Sequence, residues 1–188
     1  MKPKSTCVFV GGPIQYATHA DGSFHTGARS TIELIVQSLV GSGHRILSAH
    51  FHERFGKKDV TGESQHVCSR DFRWMQQCDV FVAVLPLDAH GNVIHSAGTA
   101  VELGWASALG KPIVLVCDPA PKYSHLVIGL GAVARVMQVD INRPDLGLAV
   151  REAVRCVLES ADLAPLHGHS RSSRSARGVR HRNNRLSG

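Results

Sequence analysis

Five short apolar runs recur at wide spacing along the chain: TCVFV (6–10), RILSA (45–49), DVFVAVL (79–85), PIVLV (112–116) and RVMQV (135–139). Most are apolar at consecutive positions, so each strand they form must be covered on both faces. The segments between them carry helical spacing. From Ser30 to Val40, Ile32, Ile35, Val36 and Leu39 share one face, and Gly41 and Gly43 stop the helix. Further helices are expected at His66 to Gln77, at Ser96 to Leu109 before Gly110, near Tyr123 to Leu130, and at Leu146 to Leu158. The polar 51–64 stretch reads as a loop and 86–95 as a turn-rich insertion.

Alternation of strand and helix predicts an α/β fold: a doubly wound, flavodoxin-like, five-stranded parallel sheet in three αβα layers. Its ligand site belongs at the carboxyl ends of the strands. At 188 residues and 43% hydrophobic content the chain suits one domain. We place it at 1–160, with a tail at 161–188.

The formal charge of +6 belongs to the last part of that tail. Gly168 to Gly188 holds Arg171, Arg174, Arg177, Arg180, Arg182 and Arg185 and no acid; without these six arginines, 15 basic residues face 15 acidic ones. Poor in large apolar residues, the tail is expected to be disordered and to meet a polyanion such as nucleic acid only through salt-dependent contacts. Five scattered cysteines read as buried hydrophobes in a reducing cytoplasm. No CxxC or HExxH motif suggests a metal, and no apolar run approaches the roughly 20 residues of a membrane span.

Three segments converge on the expected crevice: Gly11 to Tyr16 after the first strand, the helix carrying Asp71 before the third, and Ser96 to Glu102 after it. Their sequences, GGPIQYA, RDFRWMQQCDVFVAV and SAGTAVELGWASALGKPIVLV, resemble the nucleoside 2-deoxyribosyltransferase family. The likeness runs over about residues 6–140 and is greatest to its nucleotide N-hydrolase branch, which includes CMP hydrolases and 2′-deoxynucleoside 5′-phosphate N-hydrolases. It implies a cofactor-free, metal-free hydrolase that splits the N-glycosidic bond of a nucleoside 5′-monophosphate, a pyrimidine ribonucleotide such as CMP. Base exchange by a transferase and a non-catalytic nucleotide-binding module are the alternatives.

By this resemblance Glu102 is the nucleophile that forms a glycosyl intermediate, and Asp71, eight residues before Asp79, protonates the departing base. Read without it, Glu102 is a carboxylate kept ionised near a helix start, and Asp71 pairs with Arg70 or Arg73 on a solvated face. Ser96 stands where the hydrolases carry a phosphate-binding serine, with Gly98 and Thr99 completing an anion pocket; a plain helix cap looks the same. Ser124 aligns with a serine that reaches the neighbouring subunit's phosphate, which implies a homodimer.

Gly11, Gly12 and Pro13 form the first turn, Ile14 and Tyr16 flank the base, and His50 follows the second strand. Two positions depart from relatives. Gln15 replaces a phosphate-binding arginine, leaving that role to His19, Arg29 or a residue of 51–64. Phe9 replaces a tyrosine of deoxyribose-specific members and is expected to admit a ribose. Trp74 and Trp105 are expected in the core.

Overall fold

The computed structural model describes residues 5–120 and 123–163. Strands β1 (Cys7–Gly11), β2 (Arg45–Leu47), β3 (Val80–Val84), β4 (Ile113–Cys117) and β5 (Val136–Asp140) form one sheet in the order β2-β1-β3-β4-β5. Every pairing is parallel; Phe9 lies beside Phe81, and Val82 beside Val114. This is the expected doubly wound order.

Alternation of side chains along each strand sorts the core into two layers. Val8, Val10, Val82 and Val114 face α1 (Thr26–Gly41) and α6 (Leu146–Leu163), where Ile32, Ile35, Leu39, Val150 and Val154 cover them. Phe9, Phe81, Ala83 and Leu115 face α3 (Ser64–Gln77) and α4 (Ala97–Ala108), which contribute Met75, Leu103 and Ala106. Trp74 and Trp105 pack at the edge of this second layer, as expected of core residues.

Element boundaries differ from the expectation where the chain uses less common signals. α1 starts at Thr26 because the imidazole of His25 caps it, Nδ1 accepting from the Ala28 N–H at 3.2 Å. β2 stops at Leu47, and the next residues coil into α2 (Ala49–His52). Beyond α2, Arg54, Phe55 and Gly56 all adopt left-handed backbone (φ 51°, 55° and 77°). Such a run is costly outside glycine and persists only where the surroundings hold it. Phe55 supplies that hold: it is buried against Phe24, His50 and Phe51, with the Arg29 guanidinium 4.6 Å from its ring centre. The 86–95 insertion turns at Asp88, whose carboxylate accepts the N–H groups of His90 and Asn92. Its Ile94 is buried with Ala17 and Ala28.

α6 continues to Leu163, three residues beyond the expected domain end, and the rest of the basic tail lies outside the described residues. No helix among the described residues is long and apolar enough to cross a membrane. α5 (His125–Ile128) and a 3-10 turn (Gly129–Ala132) link β4 to β5. Strand order reverses between β1 and β3, since the chain leaves β1 for β2 on one side and returns to β3 on the other. The crevice at that switch point is where a doubly wound sheet binds its ligand.

Candidate active site

At the carboxyl ends of β1 and β3 a cleft of about 470 Å³ opens. Gly11, Gly12, Ile14, Gln15 and Tyr16 line one wall, and Ser96, Gly98, Thr99 and Glu102 of α4 line another. Asp71 of α3 closes the floor with His50 and Glu53 from α2 and its end, while Lys58, Asp59 and Val60 border the mouth. Eleven of the fourteen residues singled out from sequence therefore meet in one cavity.

Electrostatically the floor is an acid cluster around one guanidinium. Arg70 Nε and Nη2 donate to the two oxygens of Asp71 at 2.8 and 3.1 Å, and Nη2 also donates to Glu53 Oε1 at 2.6 Å. All three side chains are buried, and the guanidinium lies 4.8 Å from the centre of the Trp74 ring. Asp71 does pair with Arg70, but inside the protein rather than on a solvated face. Burial pushes the Asp71 carboxyl above its usual range; Arg70 opposes this by hydrogen bonding and charge, Glu53 adds to it, and His52 opposes it.

Glu102 sits in the second turn of α4, with no donor among the described residues on its carboxyl. Burial raises it well above the ordinary carboxylate range, chiefly by desolvation; Asp71 raises it further, Arg70 works against the rise, and Glu53 reinforces it. The helix start is expected to favour the ionised form, and burial here opposes it. The helix field fades beyond the first turn, and desolvation outweighs what remains. Glu102 and Asp71 are neighbouring acids whose titrations are linked.

The start of α4 reconciles two readings of Ser96. Its Oγ accepts the Thr99 N–H at 3.1 Å and the Thr99 hydroxyl at 2.8 Å. With both acceptor positions used, its own O–H remains a donor toward the cleft. The first-turn N–H groups of Ala97 and Gly98 point out of the helix without intrahelical acceptors. Ser96 is thus a cap and a donor at once.

In the first loop the glycines have separate tasks. A Cβ on Gly11 would lie 2.5 Å from Glu102 Oε2 and 2.9 Å from the Phe81 ring, so only glycine leaves room for the carboxylate. Pro13 is buried and outside the cleft lining, but its carbonyl receives the His50 Nε2–H at 3.2 Å. Since a carbonyl only accepts, Nε2 carries the proton, and Nδ1 is left to accept from Ser48 Oγ at 3.4 Å. Burial holds His50 neutral, its pKa lowered to about 4. Both ring nitrogens of His50 thus have protein partners and the pair pins the loop; the His50 ring still lines the cleft, whereas Pro13 does not.

Two more positions lie away from the cleft. Phe9 is fully buried one pleat below Gly11, edge-on to Trp74 at 5.8 Å and tilted against Phe81 at 5.2 Å. It is a core residue that does not line the cleft, because the strand places Gly11, not Phe9, beside Glu102. Ser124 caps α5 on the exposed surface and does not line the cleft. Of the proposed substitutes for Gln15, Arg29 is engaged by Glu33 at 2.8 Å and by Phe55, and His19 stays outside the lining. Among the described residues, Lys58 is the one lysine or arginine that lines the cleft. Glu53 and Arg70 were missed as site residues; the adjacent RD pair was the available signal for Arg70, and nothing marked Glu53 within HFHERFG.

Fold and site define a doubly wound α/β protein with a buried carboxylate cluster at its topological switch point. Within that class the chain belongs to the nucleoside 2-deoxyribosyltransferase family, whose sequence profile matches residues 20–149. Enzymes of this family act on nucleosides and nucleotides. Among solved structures the chain is similar to BlsM, at 28% identity and TM-score 0.65 over 87% of this chain and 98% of that one. It shares its fold with the CMP N-glycosidase BcmB of Clostridium botulinum (23% identity, TM-score 0.50, covering 78% and 96%). The same holds for a conserved protein of Enterococcus faecalis V583 (17%, 0.52, 79% and 98%). No curated protein sequence matches at a significant level.

Gly11→Ala is expected to lower activity more than tenfold by displacing Glu102, and to cost about 1–3 kcal/mol of stability from overpacking; urea unfolding beside an activity assay checks both. His50 gives a pH dependence of known sign. The unfolded chain takes up its proton below about 6.5 and the native protein only near 4. Its contribution is complete above pH 6.5 and is lost as pH falls toward 4. His50→Gln should therefore lose less stability than wild type between pH 7.5 and 5; parallel losses in both proteins would contradict this.

Proposed function

We propose that this chain hydrolyses the N-glycosidic bond of a nucleoside 5′-monophosphate to free base and sugar 5-phosphate. The observation that carries the proposal is the placement of two buried, coupled carboxyls, only one of them held by an arginine, beside an anion-ready helix start in a single cleft. In the first step the Glu102 carboxylate attacks C1′ as the bond from C1′ to the base nitrogen breaks, and Asp71 delivers its proton to the base. The reacting state holds one proton, on Asp71, with Glu102 ionised, and the positive charge growing at the anomeric carbon favours that carboxylate as the bond breaks. In the second step water attacks C1′ of the glycosyl ester, gives a proton to the Asp71 carboxylate and releases Glu102.

Ser96 Oγ–H and the amides of Ala97, Gly98 and Thr99 are the proposed phosphate donors. Lys58 stands in for the cation that Gln15 does not supply. Ile14 and Tyr16 are the proposed walls for the base. Ser124 is proposed to act across a homodimer, where the neighbouring exposed Leu126, Ile128 and Val133 offer an apolar face for the second copy. CMP heads the substrates to be tested because of the sequence resemblance and the printed activity of BcmB.

A second reading, a free nucleoside as substrate, is favoured by one observation: Glu53, Asp59, Asp71 and Glu102 line the cleft against a single lysine. A panel of ribo- and deoxyribonucleosides and their monophosphates, assayed for free base with and without an acceptor base, decides between the readings and separates hydrolysis from transfer.

Glu102→Gln is expected to abolish base release while melting at or above the wild-type temperature, since it replaces a desolvated acid with a neutral group of the same size. Asp71→Asn should slow release of poor leaving groups by about 10²–10⁴ and spare activated ones. Near-normal turnover in the first variant, or equal losses on both substrate kinds in the second, would overturn the assignments. Lys58→Ala is expected to raise KM for a monophosphate about three- to tenfold and leave a free nucleoside unaffected; a uniform change would deny Lys58 the phosphate.

A further inference from the structure

Arg70 poses a problem for the acid just described. A guanidinium bonded to both oxygens of a carboxylate favours the ionised form, whereas an acid must hold its proton until the bond breaks. The groups facing Asp71 come from three elements: Arg70 beside it on α3, His52 and Glu53 from α2 and its end, and Glu102 from α4. Arg70 and His52 act against the protonated form, and the two glutamates act for it. Glu53 alone of these does so through a direct bond to Arg70, and at 2.6 Å that bond is shorter than either made by Asp71.

We infer that Glu53 is a positioning residue for Asp71: by sharing Arg70 it divides the guanidinium's charge, so that Asp71 stays oriented yet retains a transferable proton. The inference rests on the reading of Asp71 as the acid. The backbone is shaped to present this carboxylate inward. Directly after Glu53 come the three left-handed residues, anchored by buried Phe55, and a Cβ on Gly56 would lie 2.8 Å from Thr18 Oγ1. The reversal leaves Glu53 only 4% exposed and against Arg70, not in solvent. Arg70 Nη1 is buried without a partner, so the guanidinium is held by its two carboxylates and by Trp74. Were Glu53 neutral, the whole charge would fall on Asp71.

The test uses Glu53→Gln, which keeps an oxygen for Arg70 Nη2 and removes only the charge. In protein labelled with ¹³C at aspartate Cγ, the Asp71 signal, assigned by its disappearance in Asp71→Asn, should titrate about one pH unit lower than in wild type. Arg70→Gln should move it the opposite way and serves if Glu53→Gln does not fold. With CMP as substrate, the alkaline limb of the kcat profile should shift down with the NMR midpoint in Glu53→Gln, while KM changes less than twofold. An unmoved Asp71 titration in the folded variants overturns the inference, as does a raised KM with an unchanged profile. Failure of the underlying reading looks different: the NMR shift occurs, but Asp71→Asn loses poor and activated leaving groups equally.

Discussion

A single buried guanidinium reconciles the demands placed on the floor of this cleft. Three carboxyl groups, from α2, α3 and α4, converge where the sheet order reverses, and ionised together they would repel at short range in a poorly solvated space. Arg70 binds two of them directly and acts on the third through its field. Raised proton affinity at Glu102 and Asp71 eases the remaining repulsion. Isolated charges are not tolerated in such an interior, and a partly compensated cluster is where unusual proton affinities arise. The helices that carry these residues are held in register by the sheet, so the chemistry and the fold share one scaffold.

The scaffold itself was legible in the sequence. Valines at consecutive strand positions demanded cover on both faces, and the helices supply it, α1 and α6 on one side and α3 and α4 on the other. The convergence of Gly11, Asp71, Ser96 and Glu102 was legible too, because the end of a β1-like strand and the start of a helix after β3 must adjoin in this order of strands. What escaped reading lay in side-chain direction. Phe9 and Gly11 share a face of β1, and a difference of one pleat decides which of them touches the carboxylate. Likewise α2 hides in a segment too short and polar for its periodicity to register, and with it Glu53.

Electrostatics proved the least readable property, since it depends on burial rather than on residue type. A glutamate near a helix start suggests an anion; the same glutamate desolvated beside another carboxyl holds its proton more tightly. His50 shows the converse. A histidine after a strand suggests a ligand-binding group, yet burial and the Pro13 carbonyl make it a neutral donor that fastens the first loop to α2.

Ile94 ties the end of the 86–95 insertion to Ala17 and Ala28, so the segment entering α4 and the first loop are joined through one apolar contact. Residues 57–66 across the mouth are mostly exposed and lack a comparable anchor. The cleft therefore has one jaw tied into the apolar core and one that faces solvent, so a substitution around Lys58 would reshape the mouth without disturbing the packing beneath the carboxylates.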